Sequence, residues 1–390
     1  MIKKFKLDEY YNNHKPSILF FDTLIKERVL EKGVTIDEFL EDLYITPSSF
    51  RRVRAKNQPI GKEITEILLK EFNMNPLKIE KKNKYENLLQ NIYDYSYYRL
   101  DGILQFEDEI DECINDNNIL KPIFILFKLL INCHKVTENY SKEAIQEKNK
   151  ELYEPVKKFN NGYYINAFVD LLFIIDVLYL RGNVDLEYAN QILTNSDIKG
   201  MVSFAISSHF MMTAEYSNAT YFSKKCEKYL VDDYNYNRLF ILNVNLCSCY
   251  NKLGDYEITC DMAEKQIHAS QVLGFKIVET QTIRVLMVAF LGLKKYKEII
   301  DNMNEVKDKT FIEYIFLLLA YFKLYPKDYK FVIEQFNKRK IKNIEDKLFT
   351  IVLNYIENPC KINYNELNNS ILNDPLKNII YDNFGKRYKN

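Results

Sequence analysis

Residues 246–263 read Leu-Cys-Ser-Cys-Tyr-Asn-Lys-Leu-Gly-Asp-Tyr-Glu-Ile-Thr-Cys-Asp-Met-Ala. An apolar run ends on the large aromatic Tyr250, Gly254 and Asp255 punctuate it, and Tyr256 opens a second run. Glycine favours the left-handed backbone that closes a helix. The stretch therefore predicts helix, tight turn, helix, with Tyr256 wedged between the two and Thr259 in the first turn of the second. Forty residues to either side the same pattern returns. Phe210, Tyr250 and Phe290 align, then Tyr216, Tyr256 and Tyr296, then Ala219, Thr259 and Ile299. Weaker copies flank these, with Leu178, Gly182 and Val184 before and Tyr329, Val332 and Ile333 after. One such pair cannot bury its own apolar face, so neighbouring pairs must stack.

Composition agrees with an all-α fold. Ten glycines and nine prolines in 390 residues are about 5%, against roughly 12% in average proteins. That disfavours turn-rich β-sandwiches and glycine-rich nucleotide folds, and favours long helices. From about Tyr85 onward no strand-like alternation appears. The segment from Tyr85 to Asn118 reads as two amphipathic connector helices. The aromatics Tyr163, Tyr164, Phe168, Tyr179, Phe210 and Tyr250 read as inter-helix core.

Lys plus Arg and Asp plus Glu are each 54, a formal net charge of zero. A globally basic coat for nucleic acid is excluded, and any such patch must be local. The longest apolar stretches are broken by Asp170 and Asp176, by Lys128 and by Glu313. None reaches the ~18 uncharged residues of a membrane span, and residues 1–16 carry no apolar leader core. The expectation is a cytoplasmic protein without membrane association. Seven cysteines and four histidines show no metal-ligand spacing, so the cysteines read as buried reduced thiols. No nucleophile-elbow, Walker, zincin or calcium-loop pattern is present. No cofactor, no metal and no enzymatic activity are expected.

Residues 18–75 carry a different signal. Leu19, Phe20, Leu24, Ile25 and Val29 lie at helical spacing, and Gly33 closes that helix. Thr35 and Glu38 form a capping-box pattern at the start of a second helix through Leu43. Tyr44-Ile45-Thr46 is a three-residue connection. Thr46 caps a third helix that opens on Pro47, where proline is tolerated. A fourth helix spans Lys62 to Phe72. From Leu43 to Lys62 the chain carries Arg51, Arg52, Arg54, Lys56 and Lys62 and no acid. Phe50 and Val53 face inward in this reading. Thr46, Ser48, Ser49, Arg51, Arg52, Arg54 and Lys56 remain for the phosphates and base edges of double-stranded DNA.

This segment resembles the Xre/Cro-type helix-turn-helix family through Thr35, Phe39, Leu43, Ile45-Thr46, Phe50 and Val53. Ile36, Leu40, Tyr44 and Arg54 stand where that family usually carries glutamine, a small residue, glycine and an acid. The region from about 120 to 370 resembles tetratricopeptide repeats, with spacings of 33 to 40. Together they resemble the Rgg, PlcR, PrgX and arbitrium-receptor groups of peptide-sensing regulators from Gram-positive bacteria and their phages. The resemblance implies a homodimeric transcription factor that binds an operator and a short signalling peptide. It implies a helix-turn-helix domain followed by a right-handed superhelical array of tetratricopeptide-like pairs. The expected divisions are 1–17 as an extension, 18–75, a connector at 76–119, and 120–390 for peptide binding and dimerisation.

Placing Gly254 and Tyr256 at a repeat turn puts Asn245, Ser248 and Asn251 on the concave side. The same register selects Gln281 and Arg284 in the next copy, Ser208 and Met211 in the previous one, and Asp176 before that. Amide side chains both donate to and accept from an extended peptide backbone. Arg284 suits a carboxylate, and Asp176 suits an amine or a basic side chain. The alternative function is a repeat module that sequesters a protein partner without binding DNA.

Overall fold

A computed structural model describes residues 4–12, 15–55, 58, 60–135, 142–160, 162–180, 182–306, 309–339, 346–370, 372 and 374–384, with 15, 135, 142–146 and 374–375 described by backbone alone. Among the described residues there are 22 α-helices and no strand. The chain separates into two compact units, Met1–Thr213 with Tyr221–Leu239, and Ala214–Thr220 with Phe240–Asn390.

The first unit carries the four helices read from the sequence, at Lys15–Lys32, Ile36–Asp42, Pro47–Ala55 and Lys62–Glu71. Gly33 takes the left-handed φ of 68° that ends the first. The capping box at Thr35 is complete, with the Glu38 N–H donating to Thr35 Oγ1 at 3.2 Å and the Thr35 N–H to Glu38 Oε2 at 2.7 Å. The first three helices pack on one another and bury Phe21, Ile25, Phe39, Leu40, Ile45 and Phe50. Phe72 closes the base, its ring 6.2 Å from Phe21 and 6.4 Å from Phe39.

The first residues are more than the polar extension that their charge implied. Phe5, Leu7 and Tyr10 are fully buried, and Asp8–Asn12 is helical. Phe5 lies 5.0 Å from Phe127 and 5.3 Å from Phe168. The Lys4 and Leu7 N–H groups donate to Gln90 Oε1 and Glu86 Oε1, each at 2.9 Å. The Tyr10 hydroxyl donates to the Tyr163 carbonyl at 2.7 Å. Lysines between the apolar residues hid a buried segment.

Gln90 and Glu86 belong to the helix Lys82–Tyr98. Its last carbonyls are met from far along the chain. Asn235 Nδ2 and Arg238 Nε donate to the Tyr97 carbonyl at 2.7 and 2.8 Å, and Arg238 Nη2 donates to the Ser96 carbonyl at 2.8 Å. Arg238 is fully buried, its guanidinium 4.6 Å from the Phe204 ring centre. Only glycine fits at position 200, since a Cβ there would stand 2.1 Å from the Tyr97 hydroxyl oxygen.

Beyond Lys199 the chain settles into a regular period. Helices run Lys199–Met212, Tyr216–Asp232, Tyr236–Leu253, Tyr256–Leu273, Lys276–Gly292 and Tyr296–Glu305. The residues between them in the left-handed region are Ala214, Tyr234, Gly254, Gly274 and Lys294, twenty apart each time. Four of these turns carry the same six-to-one bond, from Asn235 N–H to Leu230, Asp255 to Tyr250, Phe275 to Ser270, and Lys295 to Phe290, all between 2.8 and 2.9 Å. Two turns make the forty-residue register. Tyr216, Tyr256 and Tyr296 each open a helix, and Ala219, Thr259 and Ile299 are each fully buried one turn later. Tyr256 lies where a Cβ on Gly292 would come within 2.5 Å of its ring, so the wedge rests on a glycine. After Glu305 the period lapses. The next helices are Phe311–Leu324, Lys330–Asn337, Lys347–Glu357, Lys361–Asn368 and Asp374–Phe384. The core of the second unit runs through Phe290, Ile299, Phe316, Leu319, Phe336 and Phe349.

Cysteines 113, 133, 226, 247, 249 and 260 are buried and unpaired. Burial pushes the Cys247 and Cys249 thiols up to about 12 and about 11, well away from the thiolate form that reacts.

Candidate functional site

The helix Pro47–Ala55 stands on its neighbours through Phe50, which is buried, and Val53, which is half-buried. The turn before it holds Tyr44 at φ 57°, the position where the resembling family has glycine. Tyr44 tolerates this with its side chain 96% exposed. The Ile45 N–H reaches back to the Leu40 carbonyl at 2.8 Å and closes the turn. Thr46, Ser48, Arg51, Arg52 and Arg54 are exposed and Ser49 is half-buried. Lys56 lies outside the described residues.

The outward side chains agree with the sequence reading, but their charge state differs. Arg51 pairs with Asp37 of the preceding helix. Arg54 Nε lies 3.0 Å from Asp22 Oδ1 of the first helix, and Asp22 also holds Lys26 at 2.9 Å. Lys62 pairs with Glu66 at 3.8 Å. The acid-free window is thus partly neutralised by acids from outside it. Arg52 alone among the three arginines has no acidic partner among the described residues. The Arg51–Asp37 pair is solvent-exposed, and such pairs hold by less than about 1 kcal/mol. A phosphate can displace Asp37 at little cost.

The residues chosen for a groove fall in both units. Asp176, Ser208 and Met211 lie in the first, and Asn245, Ser248, Asn251, Gln281 and Arg284 in the second. Asp176 sits in a π-helical turn, Ile175–Tyr179. Its carboxylate fills the space above Gly182. Ser208 is buried and Met211 half-buried.

Asn251 corrects the expected register. It is buried, and its Nδ2 donates to the Val285 carbonyl at 2.9 Å, tying one helix to another. Ser248 turns its hydroxyl to the Val244 carbonyl of its own helix at 3.0 Å. Asn245 is half-buried and Gln281 exposed. Both faces of a helix inside a stack are covered, so a turn position alone does not separate groove from inter-helix seam.

Arg284 lines a cleft of about 490 Å³ in the second unit. Ile267, Ile283 and Val306 form its apolar wall, and Gln271, Lys276, Glu279, Asn302 and Glu305 its polar rim. Arg284 is already engaged. Its Nε donates to Glu313 Oε1 at 2.7 Å and its Nη2 to Thr310 Oγ1 at 3.3 Å. Burial works to raise the Glu313 carboxyl, but the bonds from Arg284 and Thr310 outweigh it and hold the group below its ordinary range. Thr310 and Glu313 also form a capping box for Phe311–Leu324. That T-x-x-E spacing is visible in the sequence and was the available sign of this partner. Lys276 and Glu305 have no ion-pair partner among the described residues, and Glu279 is met only by the neutral Gln271 Nε2 at 2.9 Å, so the cleft offers one cation and two carboxylates beside the Arg284–Glu313 pair.

No known protein family, no curated protein and no solved structure matches this chain.

Proposed function

We propose that the chain is a DNA-binding regulator that reads the major groove with the helix Pro47–Ala55. The observation carrying this reading is the outward row Ser48, Arg51 and Arg52 on a helix joined by a short closed turn to a capped neighbour, Ile36–Asp42. Arg52 is free to meet a phosphate, and Arg51 exchanges Asp37 for one. The array is tetratricopeptide-like in this reading, and the cleft beside Arg284 takes a short peptide. Lys276 and Glu305 answer its polar groups, and Ile283 and Val306 take an apolar side chain. A peptide held there biases operator affinity only to the extent that it prefers one of two states of the regulator.

The test is salt-dependent binding of the full chain to duplex DNA. Each lost phosphate contact lowers the slope of log K against log salt by about 0.9. Arg51→Gln with Arg52→Gln is expected to lower it by about 1.8, with the circular dichroism unchanged. An unchanged slope overturns the assignment. The second reading, a repeat module that captures a protein without DNA, draws on the ion pairs to Asp37 and Asp22, which spend part of the basic face within the fold. It requires that the unaltered chain show no salt-dependent DNA binding.

A further inference from the structure

We infer that a hollow under the N-terminal helices, wholly within the first unit, is a binding site for a small apolar molecule bearing one negative charge. The hollow measures about 240 Å³. One wall is Phe20 and Leu24 of Lys15–Lys32, together with Phe72. The other is Ile125 of Lys121–Lys135, with Phe159 beyond it. The lining therefore joins the helices around Pro47–Ala55 to the helices on which they rest. Phe20 stacks on Phe159 at 5.0 Å, so the two sides of the hollow meet at this ring pair.

Charge selects the occupant. The charged residues lining the hollow are Lys121 and Lys158, and no carboxylate lines it. Lys158 is neutralised from outside by Glu27 at 2.5 Å. Lys121 is not. Its ammonium donates to the neutral Asn117 Oδ1 at 2.9 Å, and no carboxylate pairs with it among the described residues. An apolar hollow with one uncompensated cation at its rim attracts an anion with an apolar body and rejects a cation. At about 30 Å³ for each water-sized group, the space takes roughly eight of them. The ligand class is a monocarboxylate with a body of about that size. An occupant touches both walls and so resists their parting. That consequence bears on DNA only if the proposed function holds, whereas occupancy of the hollow does not depend on it.

The experiment is calorimetric titration of the full chain, without DNA, using sodium octanoate, octanol and octylammonium as probes. Octanoate is expected to bind saturably at one site at least tenfold more tightly than octanol, with no saturable binding of octylammonium. Lys121→Gln is expected to erase the preference for octanoate over octanol, because it removes the charge and leaves the apolar walls. Ile125→Trp fills the hollow and is expected to abolish both. Equal binding of octanoate and octanol to the unaltered chain overturns the inference. So does octanoate affinity that survives unchanged in a Lys121→Gln variant whose circular dichroism matches the parent. Failure of DNA binding in the salt experiment leaves these outcomes untouched, so the two readings fail separately.

Discussion

Replacing Arg238 with methionine tests how the helix Lys82–Tyr98 is held. The guanidinium donates two bonds of 2.8 Å to the Ser96 and Tyr97 carbonyls and lies against the Phe204 ring. Bonds to a charged partner contribute about 1.5–3 kcal/mol each, so the gross loss is about 3–6 kcal/mol. Two effects reduce it. The Tyr97 carbonyl keeps Asn235 as a donor, and removing a buried cation returns its desolvation cost. The expected net destabilisation is about 2–4 kcal/mol, a large share of the ~5–15 kcal/mol that holds an ordinary domain. Arg238→Lys sharpens the test. An ammonium is more strongly hydrated than a guanidinium and lacks its planar fork, so lysine is expected to destabilise at least as much as methionine. Urea unfolding followed by far-ultraviolet circular dichroism reads the loss, since the chain has no tryptophan. Hydrogen exchange at residues 96–100 locates it. A methionine variant within about 0.5 kcal/mol of the parent, with undiminished protection there, refutes the claim that this side chain caps the helix.

Two further outcomes follow from backbone and titration. Tyr44 and Lys294 occupy left-handed backbone at φ 57° and 59°, which costs a side-chain-bearing residue about 1–2 kcal/mol. Glycine loses more entropy on folding, so Tyr44→Gly or Lys294→Gly is expected to stabilise by about 0.5–1 kcal/mol in urea melts, and a loss of stability contradicts the strain argument. His134 is held down to about 4 by burial, with Arg238 and Arg99 adding to the effect. It is neutral when folded and protonates near 6.5 when unfolded, so its contribution is intact above 6.5 and is lost as pH falls toward 4, by up to about 3 kcal/mol. His134→Gln is expected to remove that part of the acid limb, and parallel stability curves for the two proteins between pH 6.5 and 4 count against it.

Much of the fold was legible because local signals agreed. The forty-residue register marked Tyr216, Tyr256 and Tyr296 as helix starts, and the structure has helices opening on all three. The T-x-x-E box at Thr35 and the proline at position 47 located two helix starts in the same way. What escaped has definite causes. Three of the five turns in the regular stretch place Ala214, Tyr234 and Lys294, not glycine, in the left-handed region, so counting glycines could reveal only the two consecutive turns at Gly254 and Gly274. Phe5 and Leu7 are spaced by lysine, and charge masked their burial. The acids facing Arg51 and Arg54 lie 14 and 32 residues upstream, beyond any window centred on the basic helix.

The twenty-residue spacing of left-handed turns also governs how such a chain can change length over generations. A copy of residues 255–294 pasted in after Lys294 would bring each turn residue onto another turn residue, so growth in steps of forty codons leaves every local conformation as it was. A single codon gained or lost inside these helices would swing the succeeding apolar stripe off its seam. Insertions and deletions in a gene of this kind should therefore collect where the period lapses, beyond Glu305, while the stretch from Lys199 to Glu305 keeps its length even as its letters drift.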